Sequence, residues 1–126
     1  MALAVTTLIA KKKMLLARAG AESVAPITWM AFGDGGVETD GTVISPEEEQ
    51  LELNHELYRK RITGYEIVSD VWIRYYCELT EEELADCNIS ELALVDAEGD
   101  LVSINNFKTK GKDRDFAFTF KINDKM

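Results

Sequence analysis

The sequence has few of the residues that usually carry chemistry. It contains one histidine, His55, in 126 residues, with no second His at metal-ligand spacing and no cysteine arranged with it as a zinc site would require. Its two cysteines, Cys77 and Cys87, form no CxxC; they fit buried thiols in a reducing compartment, with a disulfide between them as the alternative. No apolar run approaches the roughly 20 residues that cross a bilayer. At the N-terminus the lysines follow the short apolar run, the reverse of a secretory signal, so none is expected. No GxSxG elbow is present, and Gly33-Asp34-Gly35-Gly36 lacks the Lys-Ser/Thr of a phosphate loop. The acidic sets Asp34, Glu38, Asp40 and Asp96, Glu98, Asp100 do not match an EF-hand, and turn formation accounts for them. These absences argue against an enzyme, and neither a cofactor nor a metal is expected.

Basic residues are also missing from one long stretch. Ala19–Tyr58 holds nine acids and no Lys or Arg, and so carries the whole net charge of −9. Such a segment is either a solvated face or a surface that orients a basic partner or a neighbouring subunit. Met1–Arg18 is its opposite, with four bases and no acid, so one subunit's helix could meet another's acidic face. Hydrophobic content of 46% and charged content of 29% are ordinary for one globular domain, here residues 1–126.

The clearest structural signal is Asn88–Ile104, NISELALVDAEGDLVSI. Apolar runs Ile89–Val95 and Leu101–Ile104 flank a turn from Asp96 to Asp100, where Gly99 supplies a positive φ; the pattern is a β-hairpin. Both faces of the first arm are largely apolar, which places it inside a sheet covered on both sides. Thr6 or Thr7 caps a helix running to about Ala19, and Gly20 stops it; Leu8, Leu15 and Ala19 mark its apolar stripe. Pro26–Phe32 is a strand entering the glycine-rich turn. Ser45-Pro46-Glu47 opens a short helix ending near Asn54 or Leu57. Tyr58–Val68 and Val71–Leu79 are two strands, Thr80 with Glu83 caps one helical turn, Lys108–Asp115 is a charged loop, and Phe116–Ile122 is a half-buried last strand. The expected fold class is α+β: a mainly antiparallel sheet with one longer N-terminal helix and one or two short helices.

Three segments, in order, resemble the phage tail-collar fibre family, the N-terminal anchoring region of tail-fibre proteins. Ile27–Gly36, ITWMAFGDGG, is similar to its strand ending in Gly-Asp-Gly. Leu53–Ile62, LNHELYRKRI, is similar to its Leu-x-x-Glu-Leu-Tyr-Arg segment. Ile89–Ile104 is similar to its Ser-Glu-Ile-Gly-Leu-Phe-Asp hairpin, with Ala93 where the family usually has Gly. The resemblance implies a virion structural protein that docks a fibre, or itself, onto a tail baseplate by protein–protein contacts. It also implies a homo-oligomer, a trimer favoured, made in the host cytoplasm and carried in the virion tail, with no nucleic acid or membrane partner. Receptor binding, which belongs to the shaft and tip of a full fibre, is not implied. Gly33, Asp34, Gly35, Gly36, Glu38 and Asp40 form the candidate docking loop, because glycine-rich loops carry binding more often than core strands do. Arg59 and Glu91 lie in matched segments and are expected to form an inter-strand ion pair, structural in role. Asp96 and Gly99 define the hairpin turn. The alternative is a small carbohydrate- or peptide-binding module with Trp29, Trp72, Tyr75 and Tyr76 as an exposed aromatic platform.

Overall fold

The computed structural model describes residues 3–126. Its elements are β1 (Leu3–Thr6), α1 (Leu8–Arg18), β2 (Ile27–Gly33), β3 (Glu56–Arg61), β4 (Gly64–Ser69), β5 (Trp72–Leu79), β6 (Asn88–Asp96), β7 (Leu101–Gly111) and β8 (Phe118–Lys125). Every strand pairing is antiparallel. One sheet has the order β1-β7-β6-β2-β3 and the other β4-β5-β8.

The two sheets face each other across a core of Met30 and Phe32 from β2, Leu92 and Leu94 from β6, Cys77 and Leu79 from β5, and Phe120 and Ile122 from β8. Phe32 and Phe120 meet edge to face at 5.4 Å between ring centres, a favoured aromatic geometry. Alternate residues of the same strands, Ala31 in β2 and Ala93 and Val95 in β6, build a second cluster on the far face of the larger sheet with Leu101, Ile104 and Leu53. β6 is therefore covered on both sides; eight of its nine residues are buried.

Among the described residues α1 is the only helix, which corrects the expected fold class from α+β to mostly antiparallel β. Ser45–His55 forms turns that cross the outer face of the larger sheet, with Pro46 and Leu53 buried, and Glu56 and Leu57 already belong to β3. The reason lies in the spacing. Within Pro46–Asn54 the two leucines, Leu51 and Leu53, are two apart, so no i,i+3 or i,i+4 apolar pair is available to hold a helix against the sheet. The irregular path buries Leu53 and leaves Leu51 exposed. Around Thr80 the expected helical turn is also absent. The Glu83 carboxylate does accept the Thr80 N–H at 2.9 Å, but Leu84 and Asp86 take φ of +51° and +62° and prevent a helix.

Three other expectations change. Tyr58–Val68 is not one strand: Ile62 N–H bonds Thr28 in the larger sheet, and Thr63 N–H bonds Tyr76 in the smaller. The chain thus changes sheets at Ile62–Thr63, and Gly64 permits the crossing, since a Cβ there would lie 2.7 Å from the Tyr76 hydroxyl. Lys108–Gly111 extends β7 rather than starting a loop, and β1 pairs with β7 where no strand was expected.

α1 begins as expected. The Thr7 hydroxyl oxygen accepts the Ala10 N–H at 3.2 Å, and the hydroxyl itself donates to Leu101 O at 2.6 Å. Gly20, at φ +80°, ends it. Its inward face differs from the expected stripe, however. Leu8 and Leu15 are exposed, Ala10 is buried, and Lys13 points at the hairpin turn.

Candidate functional site

The three segments singled out in the sequence converge on one buried side chain, Glu91 of β6. It is fully buried, and its carboxylate accepts three backbone N–H bonds: Gly35 at 2.8 Å, Asn54 at 2.9 Å and His55 at 2.8 Å. The preceding Ser90 hydroxyl accepts the Gly36 N–H at 2.9 Å. Two adjacent residues of a central strand thereby hold the glycine-rich turn and the Asn54–His55 turn in one geometry. Charge-assisted bonds of this kind are about twice as strong as neutral ones.

The glycines are required by close approach. A Cβ on Gly33 would stand 2.4 Å from His55 O, one on Gly35 2.6 Å from Asn54 Cβ, and one on Gly36 2.0 Å from Ser90 O. Asn54 Nδ2 returns a bond to Gly35 O at 2.9 Å. His55, an exposed residue, meets the Asp34 carboxylate through Nδ1. The hydrogen bond that the ring donates to Asp34, and then the charge of that carboxylate, raise the His55 pKa above the ordinary value.

Beyond Gly36 the chain makes a small closed turn. Val37 and Val43 form a β-bridge, and Glu38 N–H bonds Thr42 O at 2.8 Å. Asp40 accepts the Thr42 N–H at 2.9 Å, which holds its carboxyl below the ordinary range. Glu38 through Thr42 are all exposed. The structure therefore divides the candidate loop in two: Gly33–Gly36 is an anchored root, and Glu38 and Asp40 stand on an acidic tip.

The expected Arg59–Glu91 pair is not formed. Across β2 and its neighbours, Arg59 stands opposite Ala31 and Glu91 opposite Gly33, so the two are out of register. Arg59 instead bonds Glu56 at 2.9 Å, three residues away on its own strand. Asp96 and Gly99 do lie in the hairpin turn: Gly99, at φ +91°, bonds Asp96 O, and Asp96 Oδ1 accepts the N–H groups of Glu98 and Asp100. Lys13 reaches this turn from α1, 2.7 Å from Asp96, 3.1 Å from Glu98 and 2.5 Å from Asp100. Burial alone would lower the Lys13 pKa, but these three carboxylates raise it well above the ordinary lysine range.

Sequence reasoning missed a second cluster. Glu83 bonds Lys60 Nζ at 2.6 Å and also the Tyr58 hydroxyl. Burial acts to raise its pKa, yet the bonds from Lys60, the Thr80 N–H and Tyr58 hold it at about 2. The Thr80-x-x-Glu83 spacing was the only local hint. Both cysteines are free thiols, and burial pushes Cys77 up to about 11.

The four aromatics of the alternative reading do not share a surface. Trp29 lies in the larger sheet beneath Arg61. In β5, Trp72 and Tyr76 alternate with Tyr75, which packs toward the inter-sheet core. Trp72 is flanked by Arg74 and Lys125.

A carboxylate whose oxygens are occupied by backbone N–H groups orders structure and leaves no reacting atom presented. Fold and site together define a β-sheet structural module that displays an anchored loop. The chain belongs to the phage tail-collar fibre protein family: the model of that family's N-terminal domain matches residues 1–118. It is thus a structural component of a phage tail, working through protein–protein contacts within it. No curated protein matches the sequence.

Proposed function

We propose that this domain docks a tail fibre, or itself, onto the tail baseplate, that it does so as a homo-oligomer with a trimer favoured, and that Gly33–Asp40 is the contact loop. One observation supports this above the others. The root of the loop is held by a fully buried carboxylate and a buried serine, while its tip leaves Glu38 and Asp40 exposed. A loop fixed at its base loses little conformational entropy on binding, so its contacts are retained as affinity. Assembly follows synthesis in the host cytoplasm.

The test is co-sedimentation with purified tail baseplates. The wild-type chain should be recovered with them, and a variant whose Glu38–Thr42 tip is replaced by a two-glycine turn should be recovered at least tenfold less. Equal recovery of the two would remove the loop from the docking surface. Light scattering over a concentration series tests the oligomer: a persistent monomer, free and baseplate-bound, refutes self-association.

A further inference from the structure

The electrostatic contact expected from the sequence, in which the basic N-terminal helix of one subunit meets the acidic segment of another, is half used up within one chain. Of the four bases of α1, Lys11 and Lys13 are paired internally, and Lys12 and Arg18 stand one on each side of Lys13 with no acidic partner among the described residues. Lys11 pairs with Glu48 and Lys13 with the hairpin turn. Arg59, Lys60, Arg74 and Arg114 each hold a carboxylate of their own chain. Arg61 and Lys125 lie over tryptophan rings. Lys112 is buried and bonds the Glu81 carbonyl. Among the described residues, Lys12, Arg18, Lys108, Lys110 and Lys121 remain without an acidic partner, and the last three, Lys108, Lys110 and Lys121, lie away from the helix.

Those three lysines gather at one place. They line an open cleft of about 750 Å³ where β7 passes β8, over a floor that includes Phe107, Phe118 and Phe120. No acidic side chain lines it. β8 is the terminal strand of its sheet, and Phe118 is only partly covered. In a chain of net charge −9, three free ammonium groups around an aromatic floor form a local site for an acidic segment. The chain itself carries such a segment, the exposed tip with Glu38 and Asp40, and no ion pair joins that tip to a lysine within one chain.

We infer that the acidic tip Glu38–Thr42 of one copy enters the Lys108–Lys110–Lys121 cleft of a second copy. This inference rests on the self-association reading above and names the partner of the same loop. Because the two surfaces differ, the contact is head to tail. Repeated around an axis, such a contact closes into a ring, whereas a two-fold contact would stop at a pair. Exposed ion pairs steer and orient the contact, and the phenyl rings supply the apolar area. Raising salt to 0.5 M or above should therefore weaken the assembly, since screening lengths there fall below ~5 Å.

The experiment is a charge swap read by light scattering and sedimentation of the full chain at low and high salt. Lys108→Glu with Lys121→Glu should raise the self-association Kd at least tenfold, as should Glu38→Lys with Asp40→Lys. The two variants mixed together should associate with each other through the matched contacts, stopping short of a closed ring of three, and one chain carrying all four substitutions should reassemble in full. That rescue separates a broken contact from a misfolded variant. Assembly unchanged by either reversal would overturn the inference, as would reversals that dissociate it without rescue. Nucleic-acid binding at the cleft of a chain that stays monomeric would overturn it too. If the assembly ignores the reversals while the tip-shortened chain still fails to reach the baseplate, this inference falls and the docking reading stands. If the reversals dissociate and rescue as described while the tip-shortened chain still docks, the inference holds and the loop's baseplate role falls.

Discussion

Replacing Glu91 with Gln should be among the most damaging isosteric changes available to this domain. The carboxylate has two oxygens and three backbone donors: Oε2 takes Gly35 and His55, and Oε1 takes Asn54. An amide keeps one oxygen and turns an NH2 toward whatever faces the other position. With the carbonyl in the Oε2 position, two bonds survive as neutral ones, each weaker by about 1 kcal/mol, and the Asn54 N–H is left facing a second donor at a further ~1–3 kcal/mol. The total is about 4 kcal/mol, a large part of the 5–15 kcal/mol by which domains are stable. For a domain of this size it corresponds to a fall in Tm of about 15 °C. Urea unfolding followed by circular dichroism at pH 7 measures it, and amide exchange should show Gly35, Asn54 and His55 opening faster. Arg59→Ala is the control. Arg59 is paired only with Glu56, and both side chains are about one-third exposed, 33% and 31%, so its loss should cost less than about 1 kcal/mol. If Glu91→Gln costs under 1 kcal/mol, or Arg59→Ala costs as much, the account of this site is wrong.

Three further outcomes are expected. Gly36→Ala drives a Cβ to within 2.0 Å of the Ser90 carbonyl and should cost about 3 kcal/mol, whereas Gly41→Ala meets nothing and should cost only the ~1–2 kcal/mol of a left-handed φ; equal melting temperatures for the two would show that the root is not packed as described. Glu83 falls from 4.5 to about 2 on folding, so it contributes up to about 3 kcal/mol above pH 5 that disappears as pH drops toward 2. The gap between wild type and Glu83→Gln should therefore close over that range, and a gap independent of pH would count against the cluster. His55 titrates above its ordinary value because of Asp34; its small contribution to stability is present below the unfolded pKa and lost as pH rises through the folded one. In proton NMR, Asp34→Asn should bring that midpoint down, and an unmoved midpoint would separate the two residues.

What could be read from the sequence was local. The Asp96–Gly99 turn, the Thr7 cap with its Gly20 stop, and the double-sided burial of β6 all follow from residues a few positions apart, because turn chemistry and side-chain periodicity act over that range. The Gly33–Gly36 stretch was visible as a backbone that must turn or lie close to something. What it lies close to was not, since Glu91 stands 56 residues from Gly35 and 36 from His55, and backbone donors leave no mark in a sequence. A complementary Arg59 in a matched segment looked like the natural partner, but register across β2 put it opposite Ala31 and left Glu91 to the backbone. Tertiary packing likewise overrode the helix start at Ser45-Pro46-Glu47: Pro46–Asn54 has no apolar pair at helical spacing to hold a helix, and the outer face of the larger sheet took up Pro46 and Leu53 from an irregular path instead. It also broke Tyr58–Val68 between two sheets, where the smaller sheet required a neighbour for β5. The sequence by itself determined the Asp96–Gly99 turn, the start and stop of the first helix, and the central strand; the partners of its buried charge, and which lysines stay free, were decided only when distant strands came into register.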